Sequence, residues 1–136
     1  MLADGKKLKR LHRLEHIRSL AKQSALAEVA RAEAMLSQLQ SLSTRTAQLA
    51  GDYAARTPAS TGGDLRKMAQ FTDALQIILK NTQADTARAA VIADTSQTAL
   101  AQAEQRRSAV ESRVDALSQK IKGLREAGRE TGTSLE

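Results

Sequence analysis

A spacing of three and four residues, unbroken from Leu65 to Leu124, constrains the fold of this chain more than any other feature. Thirteen of its eighteen positions are apolar, and only Arg107 is charged. No proline interrupts the run, and no glycine occurs before Gly123. An average period of 3.5 keeps one narrow stripe on one side of a helix, which is typical of a coiled coil. The stripe, called the second seam below, comprises Leu65, Met68, Thr72, Leu75, Leu79, Thr82, Thr86, Ala89, Ala93, Ser96, Leu100, Ala103, Arg107, Val110, Val114, Leu117, Ile121 and Leu124.

The first half of the chain can supply the partner helix that such a stripe needs. Between Lys6 and Ala55 there is no proline, and the only glycine is Gly51. The early apolar positions, from Leu8 to Ile17, are spaced by three and therefore drift around a helix. They indicate either a broad apolar face or a frayed helix end. The later stripe is more regular and comprises Ala25, Val29, Ala32, Leu36, Leu39, Leu42, Thr46, Leu49 and Tyr53.

The two stripes are separated by residues 57–64, TPASTGGD. Pro58 disfavours helix at the residue before it, and adjacent glycines allow unusual backbone angles. Asp4 and Asp64 are candidate N-caps, because their side chains can accept unpaired backbone N–H groups. We predict an all-α fold, a single coiled-coil hairpin of two antiparallel helices with both chain ends at one end. Its predicted parts are a helix at about 5–55, a loop at 57–64, a helix at about 65–126 and a disordered tail at 127–136.

A reversal centred on residues 60 and 61 predicts the pairing of the two helices. Leu42 then lies near Leu79, and Leu11 lies near Val110. With this pairing, Ile121 and Leu124 extend past the first helix and have no partner there.

Composition excludes several classes of protein and indicates one charged region. The 136 residues include one Tyr, one Phe, no Trp and no Cys, so neither a disulfide framework nor a thiolate metal site can form. No apolar run is long enough to span a membrane, and no secretory signal is recognisable, so a cytoplasmic location is expected. The net charge is +6, of which residues 1–22 carry +5. Such a patch is typical of proteins that bind acidic protein surfaces, nucleic acid or anionic lipid.

No arrangement of residues suggests catalysis. His12 and His16 are four residues apart and share a helix face, but basic residues surround them, so a solvated basic face explains them better than a metal site. The Gly62–Gly63 pair is followed by Asp64 and does not form a phosphate-binding loop. We therefore expect no enzyme activity, metal, cofactor or small-molecule substrate.

Two stretches are candidates for partner binding. The basic N-terminal stretch has three interpretations: a solvated helix face, a nucleic-acid site, or a surface that docks on an acidic protein. It contains no aromatic residue for base stacking, which disfavours nucleic acid. Phe71 precedes the seam position Thr72, and is expected to lie close to Tyr53. With Met68, Leu75 and Ile78 it would form an apolar patch, which is either a partner site or a chance exposure of hydrophobic residues.

Three segments resemble the FliJ family, the small coiled-coil components of the flagellar type III export apparatus. KKLKRLHRLEHIR is similar to that family's opening, MAQFTDALQIILKN to the start of its second helix, and LAQAEQRRSAVESRVDAL to its charged last helix. The resemblance covers most of the chain. It extends equally to the YscO-like stalk proteins of type III secretion.

The resemblance implies a cytoplasmic stalk or chaperone for motility-related protein export, peripherally associated with the inner membrane. Its expected partners are the hexameric export ATPase (FliI-like), the export gate protein (FlhA-like) and other export chaperones. The ATPase would contact the basic end, at Lys6, Lys7, Lys9, Arg10, Arg13, Lys120 and Arg125. The gate would contact the patch of Met68, Phe71, Leu75 and Ile78.

Two other functions remain open at this point. One is a DNA- or RNA-associated coiled coil that uses its basic first helix. The other is a structural protein in which two hairpins join as a four-helix bundle.

Overall fold

The computed structural model describes residues 2–56 and 62–134, which form two long helices. Helix α1 spans Leu2–Ala55 and helix α2 spans Gly62–Ser134. The two helices pack against each other in antiparallel directions, so the predicted all-α hairpin is confirmed. Beyond α1, the Arg56 amide donates a hydrogen bond of 3.1 Å to the Asp52 carbonyl.

Two compact units can be distinguished within the hairpin. The first unit contains Met1–Ala27 and Thr98–Glu136, and the second contains Glu28–Gln97. In the first unit, the Lys22 ammonium donates to a Glu104 carboxylate oxygen at 3.3 Å. In the second unit, the Gln97 amide donates to the Glu33 carboxylate at 2.8 Å. Each unit therefore contains a segment of both helices.

The helix ends differ from those we predicted. Asp4 and Asp64 lie within the first turns of α1 and α2, rather than preceding them as N-caps. Residues 62–64 belong to α2, while the rest of the predicted loop, including Pro58, lies outside the described residues. No glycine among the described residues has a positive φ angle.

The predicted disordered tail is helical as far as Ser134, so that prediction was wrong; the last two residues lie outside the described part. Glycines there cost about 1 kcal/mol each, but extending an established helix avoids the cost of nucleation.

The burial pattern of α2 confirms the second seam. All sixteen seam positions from Met68 to Ile121 are buried or half-buried, and only the terminal Leu65 and Leu124 are exposed. The hydroxyl of the seam residue Thr82 forms a hydrogen bond within the helix, donating to the Ile78 carbonyl at 2.8 Å. Small buried side chains such as Ala89 and Ala93 allow the helices to approach closely.

Helix α1 has an equally regular seam, but its members differ in part from those predicted. Leu42 and Leu49 are about half exposed, and the seam runs one residue later, through Ser43 and the buried Ala50. Near the start of α1 the seam does not fray but passes through polar residues. The observed first seam comprises Asp4, Leu8, Leu11, Glu15, Arg18, Lys22, Ala25, Val29, Ala32, Leu36, Leu39, Ser43, Thr46, Ala50 and Tyr53.

The pairing of the helices is shifted relative to our prediction. In the first unit, Leu11 lines a groove together with Leu117. In the second unit, Tyr53 packs against Phe71, with ring centroids 4.4 Å apart. The predicted overhang was therefore wrong, because Leu8 of α1 shares a groove with Ile121 and Leu124. At the other end, the first residues of α2, including Leu65, are exposed.

Chemical crosslinking can measure this pairing. We expect Glu33→Cys with Gln97→Cys to be joined efficiently by a short bis-maleimide, because the native side chains are hydrogen-bonded. The matched control, Glu33→Cys with Arg88→Cys, represents the pairing predicted from sequence and lies about 13 Å further along α2. More efficient crosslinking of the control pair would contradict the observed pairing.

Candidate partner-binding surfaces

Heptad positions show which side chains lie on each side of the seams. We assign a and d to the seam residues, so that e follows d and g precedes a. In an antiparallel pair, the two e columns meet on one side and the two g columns on the other. Glu33 and Gln97 are both e residues, and their hydrogen bond is the contact expected from this arrangement. The g side is therefore the opposite face of the hairpin.

In the first unit, the g side forms a groove of about 500 Å³ with a basic rim. Lys7 comes from α1, and Arg113 and Lys120 come from α2, all at g positions. None of these three cations forms an ion pair with a carboxylate of the described residues. The remaining lining residues are Leu11, Ala116 and Leu117. The groove thus combines unpaired positive charge with an apolar floor, and can accept an acidic, partly apolar segment.

The other basic residues of α1 form a separate surface. Lys6, Lys9, Arg10 and Arg13 line a shallow depression on the outer face of α1, away from α2. All four side chains are exposed. All members of the predicted basic site except Arg125 therefore lie on two surfaces, the groove and this outer face.

Arg125, the last predicted member of the basic site, lies apart from both surfaces. It is an e residue and lines a smaller groove of about 140 Å³ with Asp4 and Leu8. Asp4 therefore places an acidic side chain in the same groove as Arg125. Conversely, Arg113 was missed by the sequence reasoning, although its spacing of seven from Lys120 places both residues in one column.

Three successive seam residues of α1, which follow the basic N-terminal residues in the sequence, are polar. Glu15, Arg18 and Lys22 are successive seam residues and are all half-buried. On α2, Arg107 is also half-buried, and its guanidinium lies 3.8 Å from the Glu111 carboxylate. The Nε atom of Arg18 is buried and has no hydrogen-bond partner among the described residues. An unpaired buried donor costs roughly 1–3 kcal/mol, so this layer weakens the packing of the first unit.

We expect Arg18→Leu to stabilise the hairpin. Leucine removes the unpaired donor and fits a d position, so the free energy of unfolding should rise by about 1 kcal/mol. Thermal unfolding followed by circular dichroism measures this change. Arg13→Leu is the matched control on the exposed face of α1, and its effect should stay within about 0.5 kcal/mol. Destabilisation by Arg18→Leu would show that the guanidinium makes a favourable contact.

The predicted gate-binding patch is only partly exposed. Leu75 is 6% exposed and belongs to the seam, so it offers almost no surface to a partner while the two helices stay packed. Met68 is half-buried in the same seam. Phe71 and Ile78 retain 40% and 48% exposure, and both are g residues. Phe71 also packs against Tyr53, with the two ring planes tilted by 51°, which confirms their predicted proximity. Only Phe71 and Ile78 offer substantial apolar surface.

The described residues contain no group of three or more metal-ligating side chains placed to hold an ion. His12 is exposed, and its Nδ1 lies 3.5 Å from a Glu15 carboxylate oxygen. In the described part of the chain, neither helix contains a stretch apolar enough to cross a bilayer.

Comparisons with protein-family models, curated proteins and solved structures find no match to this chain.

Proposed function

We propose that this protein is a coiled-coil stalk or chaperone of a type III export system, flagellar or secretory, which docks its basic end on a hexameric export ATPase. The groove of the first unit carries this proposal. It brings Lys7 from one end of the sequence beside Arg113 and Lys120 from the other, over an apolar floor. The similarity of the sequence segments to the FliJ and YscO-like families supports the identity of the partner.

Charge and geometry suit docking in a ring of opposite sign. The residues of the first unit carry the whole net charge of +6, because the second unit has seven basic and seven acidic residues. Concentrated positive charge steers the first unit towards an acidic surface and speeds association at low salt. Small residues buried in the seam, such as Ala32 and Ala93, keep the helix pair narrow. A narrow helix pair is what a stalk in a ring requires.

The second unit would contact the export gate protein and other export chaperones. Phe71 and Ile78 are the members of the predicted patch that are exposed enough to make this contact.

Co-migration on a sizing column tests the docking proposal. The chain is expected to elute with the export ATPase hexamer at low salt, and to dissociate progressively as the salt concentration rises. The Debye length falls from about 10 Å at 0.1 M to about 3 Å at 1 M, which screens contacts between exposed charges. Separate elution at every salt concentration would contradict the proposal.

A second candidate function, nucleic-acid binding, is favoured by the outer face of α1. Lys6, Lys9, Arg10 and Arg13 lie together there and can contact successive phosphates. Binding to duplex DNA measured against salt would then show a slope of about −0.9 for each phosphate neutralised. Absence of binding at low salt would exclude this function and leave the export proposal unaffected.

A further inference from the structure

The second unit exposes large apolar side chains at six of the nine g positions of its two helices, the others being Glu28, Asp64 and Asp85. In α1, three consecutive g positions are Met35, Leu42 and Leu49, each about half exposed. In α2, three of the four g positions from Phe71 to Ile92 are apolar, the exception being Asp85, which is paired with Arg88. The neighbouring f positions Ile77 and Val91 are more than 60% exposed. We call this surface the apolar strip; it comprises Met35, Leu42, Leu49, Phe71, Ile77, Ile78, Val91 and Ile92.

The apolar strip differs from the e side of the second unit and from the g positions of α2 in the first unit. On the e side of the second unit, Glu33 and Gln97 are joined by a hydrogen bond, and the other e positions are Ala or Gln. In the first unit, three successive g positions of α2 are basic, namely Arg106, Arg113 and Lys120. A two-stranded coiled coil needs apolar residues only at a and d, whereas a helix in a bundle is apolar at a third column as well. The second unit therefore has the pattern of a helix bundle, with its third column uncovered.

We propose that a second copy of this chain covers the apolar strip, so that two hairpins join through their second units as a four-helix bundle. The strip is about 32 Å long between Phe71 and Ile92, and about 20 Å wide for two helices side by side. Such a face has an area of about 640 Å², which lies at the lower end of the roughly 600–1,000 Å² that each partner contributes to a stable interface. The inference does not rest on the proposed function, because it uses only the exposed residues of the second unit.

Charge favours a second copy as the occupant. The second unit has seven basic and seven acidic residues, so two such units meet without net repulsion. All of the excess positive charge belongs to the first unit. A two-fold axis brings the same strip from each copy together, so the apolar side chains of one copy contact the apolar side chains of the other. Because Phe71 and Ile78 belong to the strip, this dimer and a gate contact at those residues would exclude each other.

Light scattering and analytical ultracentrifugation of the full chain test the proposal. The protein should have twice the chain mass at high concentration and dissociate on dilution. The dimer should persist at about 1 M salt, because apolar contacts are not screened. A chain that remains monomeric up to about 1 mM, the weak end of measurable affinity, would overturn the proposal and leave a foreign apolar helix as the occupant. A dimer that dissociates in salt would also overturn it.

Variants locate the interface. Leu42→Gln with Ile78→Gln should raise the dissociation constant at least tenfold without loss of helicity, because both side chains are exposed in the single hairpin. The matched control, Ile17→Gln with Leu20→Gln, alters equally exposed apolar residues in the first unit. The control variant should remain dimeric. Unchanged dimerisation of the Leu42 and Ile78 variant would place the interface elsewhere.

Discussion

Reversal of three charges in the groove, by Lys7→Glu, Arg113→Glu and Lys120→Glu, is expected to weaken binding to the export ATPase at least about tenfold. The physical reason is that these cations converge from both helices around the apolar floor of Leu11 and Leu117. A partner that buries its acidic groups there would meet repulsion in place of attraction. Titration of the ATPase with labelled chain, at fixed salt, measures the change.

A matched variant distinguishes the effect of the groove charges on affinity from the effect of net charge. Lys6→Glu, Lys9→Glu and Arg10→Glu change the net charge by the same amount, but on the outer face of α1. This variant should slow association and lose less affinity than the groove variant, because a charge outside the contact mainly affects steering. Equal losses would show that only net charge matters. A larger loss in the outer-face variant would move the interface to that face.

Leu75→Ala is expected to lower the free energy of unfolding by about 2–5 kcal/mol, the cost of removing a well-buried leucine side chain. Leu75 is 6% exposed in the seam of the second unit, where its loss leaves a cavity between the helices. Urea unfolding followed by circular dichroism measures the change.

Ile78→Ala is the control, three residues further along the same helix. Its side chain is 48% exposed in the single hairpin, so at concentrations where the chain is monomeric the free energy of unfolding should change by less than about 1 kcal/mol. Equal destabilisation by the two substitutions would contradict the division into seam and exposed strip. Leu75 and Ile78 were both expected to contact the export gate. A stability effect at Leu75 alone would show that Leu75 packs between the helices while Ile78 does not.

Part of this fold is readable from sequence because the spacing in α2 is unbroken. The repeat from Met68 to Ile121 gives the buried face of α2 without knowledge of its partner. In α1 the seam has the same spacing, but Arg18 and Lys22 occupy two of its positions. A search for apolar residues alone therefore does not detect the seam in that part of the helix. The most hydrophobic residue of a stretch is also not always the buried one. Leu49 is more hydrophobic than Ala50, but Ala50 is the residue that lies in the closely packed seam.

The pairing of the two helices and the position of the groove could not be predicted from the sequence. A regular repeat fits several registers that differ by whole heptads, so the sequence does not say which residue of α1 meets a given residue of α2. The groove depends on that register, because Lys7 and Arg113 are distant in sequence. Arg113 has no local signal of function, and only its column shared with Lys120 could have indicated it.

The most direct measurement of the proposed function is ATP hydrolysis by a flagellar or type III export ATPase, with and without this protein. We expect stimulation by the native chain and its loss in the variant carrying Lys7→Glu, Arg113→Glu and Lys120→Glu. That result would establish the basic groove as the working end of an export stalk. Hydrolysis that is unchanged by the native chain at saturating concentration would contradict the proposed function.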